Sequence, residues 1–209
     1  MIRVLIVDDH PVVRSGLKNL LADEQDIQVR EAGDADEALL LISAGDFDLV
    51  MLDLDLPGKS GIELLGDIRR ERPSLPVLVL SVYPEEQFAL RSLRAGASGF
   101  VSKDAASEDL VAAVWKILGH GKYISEATAE RLLHHLKSPP GRYSHESLSD
   151  REFQILCLLG AGKTVGEIAF ELSLSVSTIS TYRARVLDKM GIKTNAELMR
   201  YVISNRLIL

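Results

Sequence analysis

Acidic, hydroxyl and basic residues stand where four short apolar runs end in the first half of this 209-residue sequence. Asp8 and Asp9 follow the first run, Asp53 the second, Ser81 the third, and Lys103 the fourth. Three carboxylates held together repel one another, and a site made only of oxygen ligands suits a hard divalent cation such as Mg²⁺. A carboxylate can attack phosphorus while a metal ion, an ammonium group and a hydroxyl stabilise the transferred phosphoryl oxygens. The pattern therefore predicts Asp53 as the nucleophile, Lys103 as the fixed positive charge and Ser81 as a hydrogen-bonding hydroxyl.

The elements that bring these residues together are predicted by the apolar runs themselves. Short apolar runs separated by helical patterns indicate buried parallel strands. The strands are expected at Ile2–Val7, Ile27–Glu31, Leu49–Leu52, Val77–Leu80 and Phe100–Val101. The helices are expected at Val12–Ala22, Ala35–Ala44, Gly61–Arg70, Glu85–Ala95 and Glu108–Leu118. Five such units predict a doubly wound α/β sandwich, in which the carboxyl ends of the strands share one ligand-binding edge.

The second half has a helical pattern throughout. A helix at Ala127–Leu136 leads into Lys137–Ser147, whose Pro, Gly and Ser residues are typical of a linker. Four short helices are then expected at Asp150–Leu159, Val165–Leu172, Val176–Met190 and Asn195–Ser204. The turn Ser173–Ser175 gives a helix-turn-helix spacing that can present the following helix to the DNA major groove. From the pattern alone, a small helical bundle without a DNA-binding role remains the alternative.

Charge and cysteine content narrow the class of protein. Residues 1–137 carry 15 Lys and Arg against 23 Asp and Glu, whereas residues 148–209 carry 8 against 6. The acidic N-terminal part favours binding of a cation or a basic partner, and the mildly basic C-terminal part favours binding of a polyanion. Cys157 is the only cysteine, so a disulfide within the chain is excluded. No apolar stretch reaches the ~18 residues of a membrane span, and no leader precedes the first strand, so we expect a cytoplasmic protein.

The first 120 residues resemble the receiver domain of two-component response regulators. The resemblance rests on "VLIVDDHPVVRSGL", "DLVMLDLDLPGKSGIELL", "VLVLSVY" and "AGASGFVSKDA", which match in order, spacing and residue type. It implies that Asp53 is the phosphoacceptor and Lys103 its catalytic cation. It also implies that Ser81 is the switch hydroxyl, and that Phe100 is the switch aromatic.

The same resemblance implies a Mg²⁺ site beside the phosphoacceptor. Its ligands would be Asp9, Asp53 and the backbone carbonyl of Asp55, with Asp8 acting through a water molecule. No organic cofactor is implied.

Residues 148–209 resemble the LuxR-type DNA-binding domain of NarL/FixJ-family regulators, through "DREFQILCLLGAGKT" and "STISTYRARVLDKMGI". In the recognition helix, Ile179, Val186 and Met190 share the face that packs into the bundle. The residues expected to contact DNA are Ser177, Thr178, Ser180, Thr181, Arg183, Ala184, Arg185 and Lys189. Many relatives carry Lys at the position of Ser180 and His at that of Tyr182, so this helix departs from the commoner pattern.

The resemblance as a whole implies a receiver at residues 1–120, a connecting helix and linker at 121–147, and a DNA-binding domain at 148–209. The fold expected is a flavodoxin-like, five-stranded parallel receiver followed by a small all-α four-helix domain. The function expected is transcription regulation controlled by phosphorylation from a sensor histidine kinase, with promoter DNA as ligand and a phosphorylation-dependent homodimer. RNA polymerase is a further candidate partner. The chain would accept phosphate and hydrolyse it from itself, without being a turnover enzyme.

Two other function classes remain open alternatives. Asp53 and Asp55 in "DLDLPG" resemble the paired aspartates of haloacid-dehalogenase phosphatases. In that family, however, the pair follows the first strand and precedes a small residue pair, whereas here it follows the third strand and precedes Leu56 and Pro57. A protein-interaction module that is never phosphorylated would be favoured by a missing acid or lysine, and none is missing.

Overall fold

The computed structural model describes residues 1–22, 24, 26–82, 85–126, 128–130, 145–205 and 207. The chain divides into two compact units, Met1–Leu132 and Leu133–Leu209. The expected helix at Ala127–Leu136 and most of the linker at Lys137–Ser147 lie outside the described residues. No helix in the described part of the chain is long and apolar enough to cross a membrane.

The first unit is built on a five-stranded parallel sheet. The strands are β1 (Ile2–Val7), β2 (Ile27–Ala32), β3 (Leu49–Asp53), β4 (Val77–Ser81) and β5 (Gly99–Ser102). Their order is β2-β1-β3-β4-β5, and every neighbouring pair is parallel. This is the predicted doubly wound, flavodoxin-like arrangement, and its strand order reverses between β1 and β3. β2, β3, β4 and β5 each end one residue later than predicted, so that Asp53 and Ser81 are the last residues of β3 and β4 rather than the residues that follow them.

Helices follow the strands in the predicted order. They are α1 (Pro11–Ala22), α2 (Ala35–Ala44), α3 (Gly61–Glu71), α4 (Glu85–Arg94) and α5 (Ser107–Leu118). Leu21 of α1 and Leu110, Val114 and Ile117 of α5 pack with β1, β3 and β4 in one apolar core. Burying each such side chain contributes about 1.5 to 3 kcal/mol. The core therefore fixes the sheet from which the loops at its carboxyl edge project.

The start of α3 is fixed against the end of β3 by a glycine. A Cβ atom on Gly61 would lie 2.1 Å from the carbonyl oxygen of Asp53, so only glycine permits this approach. Ser60 caps the helix, since its hydroxyl accepts from the Glu63 N–H while the Glu63 carboxylate accepts from the Ser60 N–H. The loop from Asp53 to Ser60 is thus held at both ends.

A short segment beyond α5 pairs with the edge strand β5. The Phe100 N–H donates to the Tyr123 carbonyl at 3.0 Å, and the Tyr123 N–H donates to the Ser98 carbonyl at 3.1 Å. The bridge between Gly99 and Tyr123 is parallel. The sequence pattern did not predict this pairing, because one bridged residue leaves no alternation of polar and apolar side chains. It covers part of an edge that would otherwise present unpaired backbone groups.

The second unit contains a short 3₁₀ helix at His145–Ser147 and four α-helices in its described part. They are α6 (Asp150–Gly160), α7 (Val165–Glu171), α8 (Val176–Met190) and α9 (Asn195–Ser204), in close agreement with the prediction. Ser149 and Glu152 form a capping box at the start of α6. α8 ends at Gly191, whose φ of 64° is the left-handed conformation that glycine adopts without strain. Cys157 is free and buried, as expected.

Candidate functional site

The acids and the lysine predicted from the strand ends meet at the carboxyl edge of the sheet. Lys103 Nζ lies 2.7 Å from Asp8 Oδ2 and 2.7 Å from Asp53 Oδ2. Asp8 and Asp53 are each only 1% exposed. They extend from β1 and β3, the two strands between which the strand order reverses. The lysine therefore bridges two buried carboxylates at the point where this class of fold binds ligands.

Backbone groups hold the other carboxylate oxygens of this cluster. The His10 N–H donates to Asp8 Oδ1 at 2.8 Å, and the Asp55 N–H donates to Asp53 Oδ1 at 3.2 Å. Both carboxylates are thus oriented by the loop that follows their own strand. The Lys103 N–H in turn donates to the Ser81 carbonyl at 2.9 Å, which ties the lysine loop to the end of β4.

Burial dominates the ionisation of the central acid. It raises the pKa of Asp53 from 3.8 to about 7, although the positive charge of Lys103 opposes the shift. Burial alone would lower the pKa of Lys103, but attraction to Asp53 and hydrogen bonds to Asp53 and Asp8 outweigh it, so that this pKa is raised. The lysine remains positive at neutral pH. Additional positive charge in the cluster would favour the ionised Asp53 carboxylate.

The cluster has the chemistry of a site for a hard divalent cation. Ligand atoms of Asp8, Asp9, His10 and Asp53 lie within 4.8 Å of one another. Asp9 Oδ1 is buried and makes no hydrogen bond to any described group, although His10 Nδ1 lies 2.6 Å away outside hydrogen-bonding geometry. A buried oxygen without a donor, within a group of carboxylates, fits the ligand preference of Mg²⁺.

The two predicted switch residues lie inside the receiver unit. Ser81 and Phe100 are both 0% exposed. Phe100 therefore occupies an interior position in β5.

Arg14 is a member of the site that the sequence pattern did not single out. Its Nη1 donates to the Asp8 carbonyl at 2.6 Å, and its Nε donates to Glu31 Oε2 at 3.4 Å. Lys18 Nζ also reaches Glu31, at 2.9 Å, and these contacts lower the pKa of that carboxyl group. Arg14 thus joins the loop after β1 to the end of β2. Its place one turn into α1, on the side of the acidic loop, is the signal that could have revealed it.

A large groove lies at the opposite edge of the sheet and is separate from this chemistry. Its volume is about 720 Å³, and its lining includes Ile2, Asp48 and Pro76, which stand at the amino ends of strands. Trp115 borders it and donates to Glu24 at 3.0 Å. The acid cluster is at the carboxyl ends of the same strands, so the groove is not part of the candidate site.

In the second unit, the residues predicted to contact DNA differ in exposure. Those that are exposed are Ser177, Ser180, Thr181, Ala184, Arg185 and Lys189, all in α8. The predicted inward residues Ile179, Val186 and Met190 are buried. The two faces of the helix are therefore arranged as the periodicity indicated.

Among the predicted contacts, Arg183 and Lys189 bind side chains of other helices, and Thr178 bonds the N-cap of its own helix. Thr178 is half-buried and its hydroxyl lies 2.8 Å from that of Ser175, the N-cap of α8. Arg183 donates to Asn195 Oδ1 from Nε at 3.0 Å and from Nη2 at 2.7 Å. Lys189 Nζ lies 2.6 Å from the carboxylate of Glu152.

The contacts of Arg183 and Lys189 both join α8 to another helix. The bond of Arg183 joins α8 to the first residue of α9, and the ion pair of Lys189 joins α8 to α6. Both side chains hold helices together, whereas Arg185 lies with its guanidinium 5.9 Å from the Tyr182 ring centre.

Both halves of the chain match known families. Residues 4–115 match the model of the response regulator receiver domain, and residues 146–202 match that of bacterial regulatory proteins of the luxR family. The first match covers more than half of the chain. The two matches fall on the sheet unit and on the helical unit, respectively.

Similar proteins match this chain over nearly its whole length. The response regulator GacA of Pseudomonas aeruginosa is 34% identical over 212 residues, covering 100% of this chain and 98% of that protein. The response regulator UvrY of Escherichia coli is 32% identical over 209 residues, covering 99% and 96%. A similar solved structure is that of RcsB from Salmonella enterica serovar Typhimurium, bound to promoter rprA in the presence of phosphomimetic BeF3-. It is 29% identical to this chain with a TM-score of 0.65, and the match covers 98% of this chain and 100% of that one.

The sheet order, the acid and lysine cluster at its carboxyl edge and the helix-turn-helix unit agree with these similarities in both halves. The chain belongs to the NarL/FixJ family of two-component response regulators, in which a receiver domain is joined to a LuxR-type DNA-binding domain that regulates transcription.

Proposed function

We propose that Asp53 accepts a phosphoryl group from a sensor histidine kinase and that the resulting acyl phosphate controls binding of promoter DNA. The observation that carries this proposal is the bridging position of Lys103, 2.7 Å from both Asp8 and Asp53. A lysine held there places a fixed positive charge beside the oxygens of a phosphoryl group on Asp53. Such preorganised charge stabilises the transition state without reorganisation of the site.

Mg²⁺ would be held by Asp9, Asp53 and the Asp55 carbonyl, with Asp8 acting through water. When bound, it supplies positive charge that neutralises phosphoryl oxygens during transfer. Asp8 and Asp53 are oriented by backbone N–H groups, so the carboxylates do not have to reorganise before the reaction. Asp53 must be ionised to attack phosphorus, and its raised pKa makes ionisation dependent on the positive charges around it.

Phosphorylation would be transmitted through β4 and β5. The Ser81 hydroxyl would bond the phosphoryl group on Asp53, and the backbone bond between Lys103 and Ser81 would carry the shift to the face formed by the last strands and helices. Phosphorylation would shift the population between two packing arrangements of the receiver. The extent of this shift is limited by the difference between the contacts that the phosphoryl group makes in the two arrangements. Release of the DNA-binding domain, dimerisation, or both would then permit binding to half-sites about one helical turn apart. RNA polymerase would be the next partner at a promoter.

Phosphotransfer can be tested with acetyl phosphate and mass spectrometry of the full chain. The expected result is one phosphoryl group, on Asp53, that appears only with Mg²⁺. Asp53→Asn should abolish labelling, whereas Asp55→Asn is a matched control because it removes a nearby acid and keeps the backbone carbonyl. Labelling of Asp53→Asn as strong as that of the parent would refute the assignment.

The same assay separates the alternatives. Hydrolysis of phosphate monoesters over many turnovers would support the phosphatase class. Absence of labelling from both acetyl phosphate and a phosphorylated histidine kinase would support an interaction module. The expected behaviour is a single acceptance followed by slow loss of phosphate.

A further inference from the structure

The exposed surface of α8 that would enter a DNA groove presents an unusual set of groups. We call it the readout face and define it by five exposed residues, Val176, Ser177, Ser180, Thr181 and Ala184. They are the exposed residues of positions 176–184, the amino-terminal part of the helix, whereas Ile179, Val186 and Met190 are buried in the bundle. The inference that follows rests on the proposed binding of promoter DNA by this helix.

Hydroxyl groups on this face already use their protons within the helix. Ser180 Oγ donates to the Val176 carbonyl at 2.8 Å, and Thr181 Oγ1 donates to the Ser177 carbonyl at 3.0 Å. To donate to a base, either hydroxyl would have to give up its carbonyl partner. Without that loss, each oxygen offers only lone pairs to DNA. Ser177 Oγ lies 2.7 Å from Ser175 Oγ, and either hydroxyl can donate in this hydrogen bond.

The remaining groups of the readout face are apolar. Val176 is 56% exposed, and Thr181 and Ala184, which are also exposed, each carry a methyl group. Apolar side chains in the major groove contact the C5 methyl group of thymine, which is the only methyl group on that edge of the four base pairs. The face therefore combines methyl contacts with hydrogen-bond acceptors.

Basic side chains that could read guanine are absent from the centre of this face. Arg183 is bonded to Asn195, and Lys189 is paired with Glu152. Arg185 lies at the edge of the face, beside the Tyr182 ring. The bidentate contact to guanine N7 and O6 is made by an Arg or a Lys side chain, and none of the five readout residues is either.

We propose that the readout face of α8 recognises thymine methyl groups and the amino group of adenine, and makes no direct contact with guanine N7 or O6. The half-site is accordingly centred on A·T pairs. Guanine elsewhere in the half-site neither gains nor loses a direct contact with these five side chains. Arg185 contributes affinity for the phosphate backbone and no base preference.

The test uses the full chain, phosphorylated with acetyl phosphate and Mg²⁺, to select duplexes from a random pool. Selected duplexes are then titrated with single replacements of thymine by deoxyuridine, which removes one methyl group, or of guanine by 7-deazaguanine, which removes N7. At contacted positions, loss of a methyl group should weaken binding about fourfold, the value expected for one buried carbon group. Every 7-deazaguanine replacement should leave affinity unchanged within about twofold.

Two substitutions of Thr181 locate the contact. Thr181→Ser keeps the hydroxyl and removes the methyl group, so binding should become insensitive to deoxyuridine at one position. Thr181→Val keeps a methyl group and should retain that sensitivity. Because the side chain is exposed, both variants should melt at the temperature of the parent.

Opposite results would overturn the inference. An enriched site weakened tenfold by 7-deazaguanine and unaffected by deoxyuridine would show direct reading of guanine. If the parent and Thr181→Ser are equally sensitive to deoxyuridine at every position, Thr181 does not contact a thymine methyl group. Failure of any sequence to enrich would contradict the proposed DNA binding itself, which separates that proposal from this one.

Discussion

Asp53 is a buried carboxyl group, and its ionisation weakens the fold that holds it. Its pKa is raised by burial to about 7, compared with 3.8 for the unperturbed group. The folded protein therefore binds this proton more tightly than the unfolded chain, so the contribution of Asp53 to the free energy of unfolding falls as pH rises from about 4 to about 7. Above about pH 7 this stabilising contribution is lost completely, and it no longer changes with pH.

We predict that Asp53→Asn becomes more stable relative to the parent as pH rises, because asparagine carries no charge to bury. In the absence of Mg²⁺ the variant should exceed the parent by about 1 to 3 kcal/mol near pH 8, and the gap should narrow towards about pH 4.5. Urea unfolding at several pH values measures it, with Asp55→Asn as the control. A gap that does not change with pH would contradict the burial argument.

Lys189 and Arg185 are two cations on α8 with different expected roles. Lys189 is paired with Glu152, which also accepts from the Ser149 N–H. Burial alone would raise the pKa of Glu152, but its hydrogen bonds to Lys189 and Ser149 outweigh burial and lower it. Arg185 is exposed and makes only the contact with Tyr182 among the contacts described above.

We therefore predict that Lys189→Ala lowers the stability of the DNA-binding unit by about 1 kcal/mol, whereas Arg185→Ala leaves it unchanged. Arg185→Ala should weaken binding to all DNA sequences equally and reduce the slope of log affinity against log salt by about 0.9. Thermal unfolding and a titration at several salt concentrations measure the two effects. A change of sequence preference in Arg185→Ala would show that this residue reads bases.

At the scale of elements, β5 connects the phosphorylation site to the chain that leaves the receiver. Phe100 lies in β5 and its N–H donates to the Tyr123 carbonyl. A Cβ atom on Gly99 would lie 2.7 Å from that carbonyl oxygen, so the close approach of this segment depends on glycine. The Tyr123 ring is also 5.7 Å from Lys116 Nζ, a cation–π contact to α5.

We predict that Gly99→Ala displaces the Tyr123 segment without removing the phosphoacceptor. Labelling at Asp53 should persist, while the increase in DNA affinity that follows phosphorylation should fall at least fivefold, because β5 and the segment no longer move together. Gly66→Ala is the control, since a Cβ atom there would have no neighbour within 4 Å. If both variants respond to phosphorylation as the parent does, the segment is not part of the transmission.

The sequence allowed some of these elements to be predicted and concealed others. Continuous apolar runs such as Leu49–Leu52 gave the strands, and the residues at their ends gave the cluster, because parallel strands share one edge. The Tyr123 pairing leaves no periodic signal. The contacts of Arg183 and Lys189 could not be predicted either, because they depend on which neighbouring helix offers an acceptor.

At the scale of the whole molecule, the division into Met1–Leu132 and Leu133–Leu209 supports two independent folding units. We predict that residues 1–124 fold and bind Mg²⁺ alone, and that residues 145–209 fold and bind DNA alone. Limited proteolysis of the full chain should cut first within Lys137–Ser147, where Pro, Gly and Ser dominate the sequence. A single cooperative unfolding transition without preferred cleavage there would contradict this account.

The charge of the DNA-binding half limits what one copy can do. Residues 148–209 carry a net charge of +2, from 8 Lys and Arg against 6 Asp and Glu. At least four of those cations have partners within the unit, so few remain for phosphate contacts; the four are Arg151, Lys163, Arg183 and Lys189. Non-specific affinity comes mainly from such contacts and is lost as salt rises.

We therefore predict that a single copy binds weakly and that specificity requires two. Residues 145–209 should bind a duplex with one half-site weakly, and the phosphorylated full chain should bind two half-sites one helical turn apart at least 100-fold more tightly, because the second contact becomes intramolecular. Insertion of about five base pairs between the half-sites places them on opposite faces of the duplex and should remove the gain. Titration with each duplex, combined with ultracentrifugation, tests this. Tight, sequence-specific binding by a fragment that remains monomeric would show that the charge argument underestimates one copy.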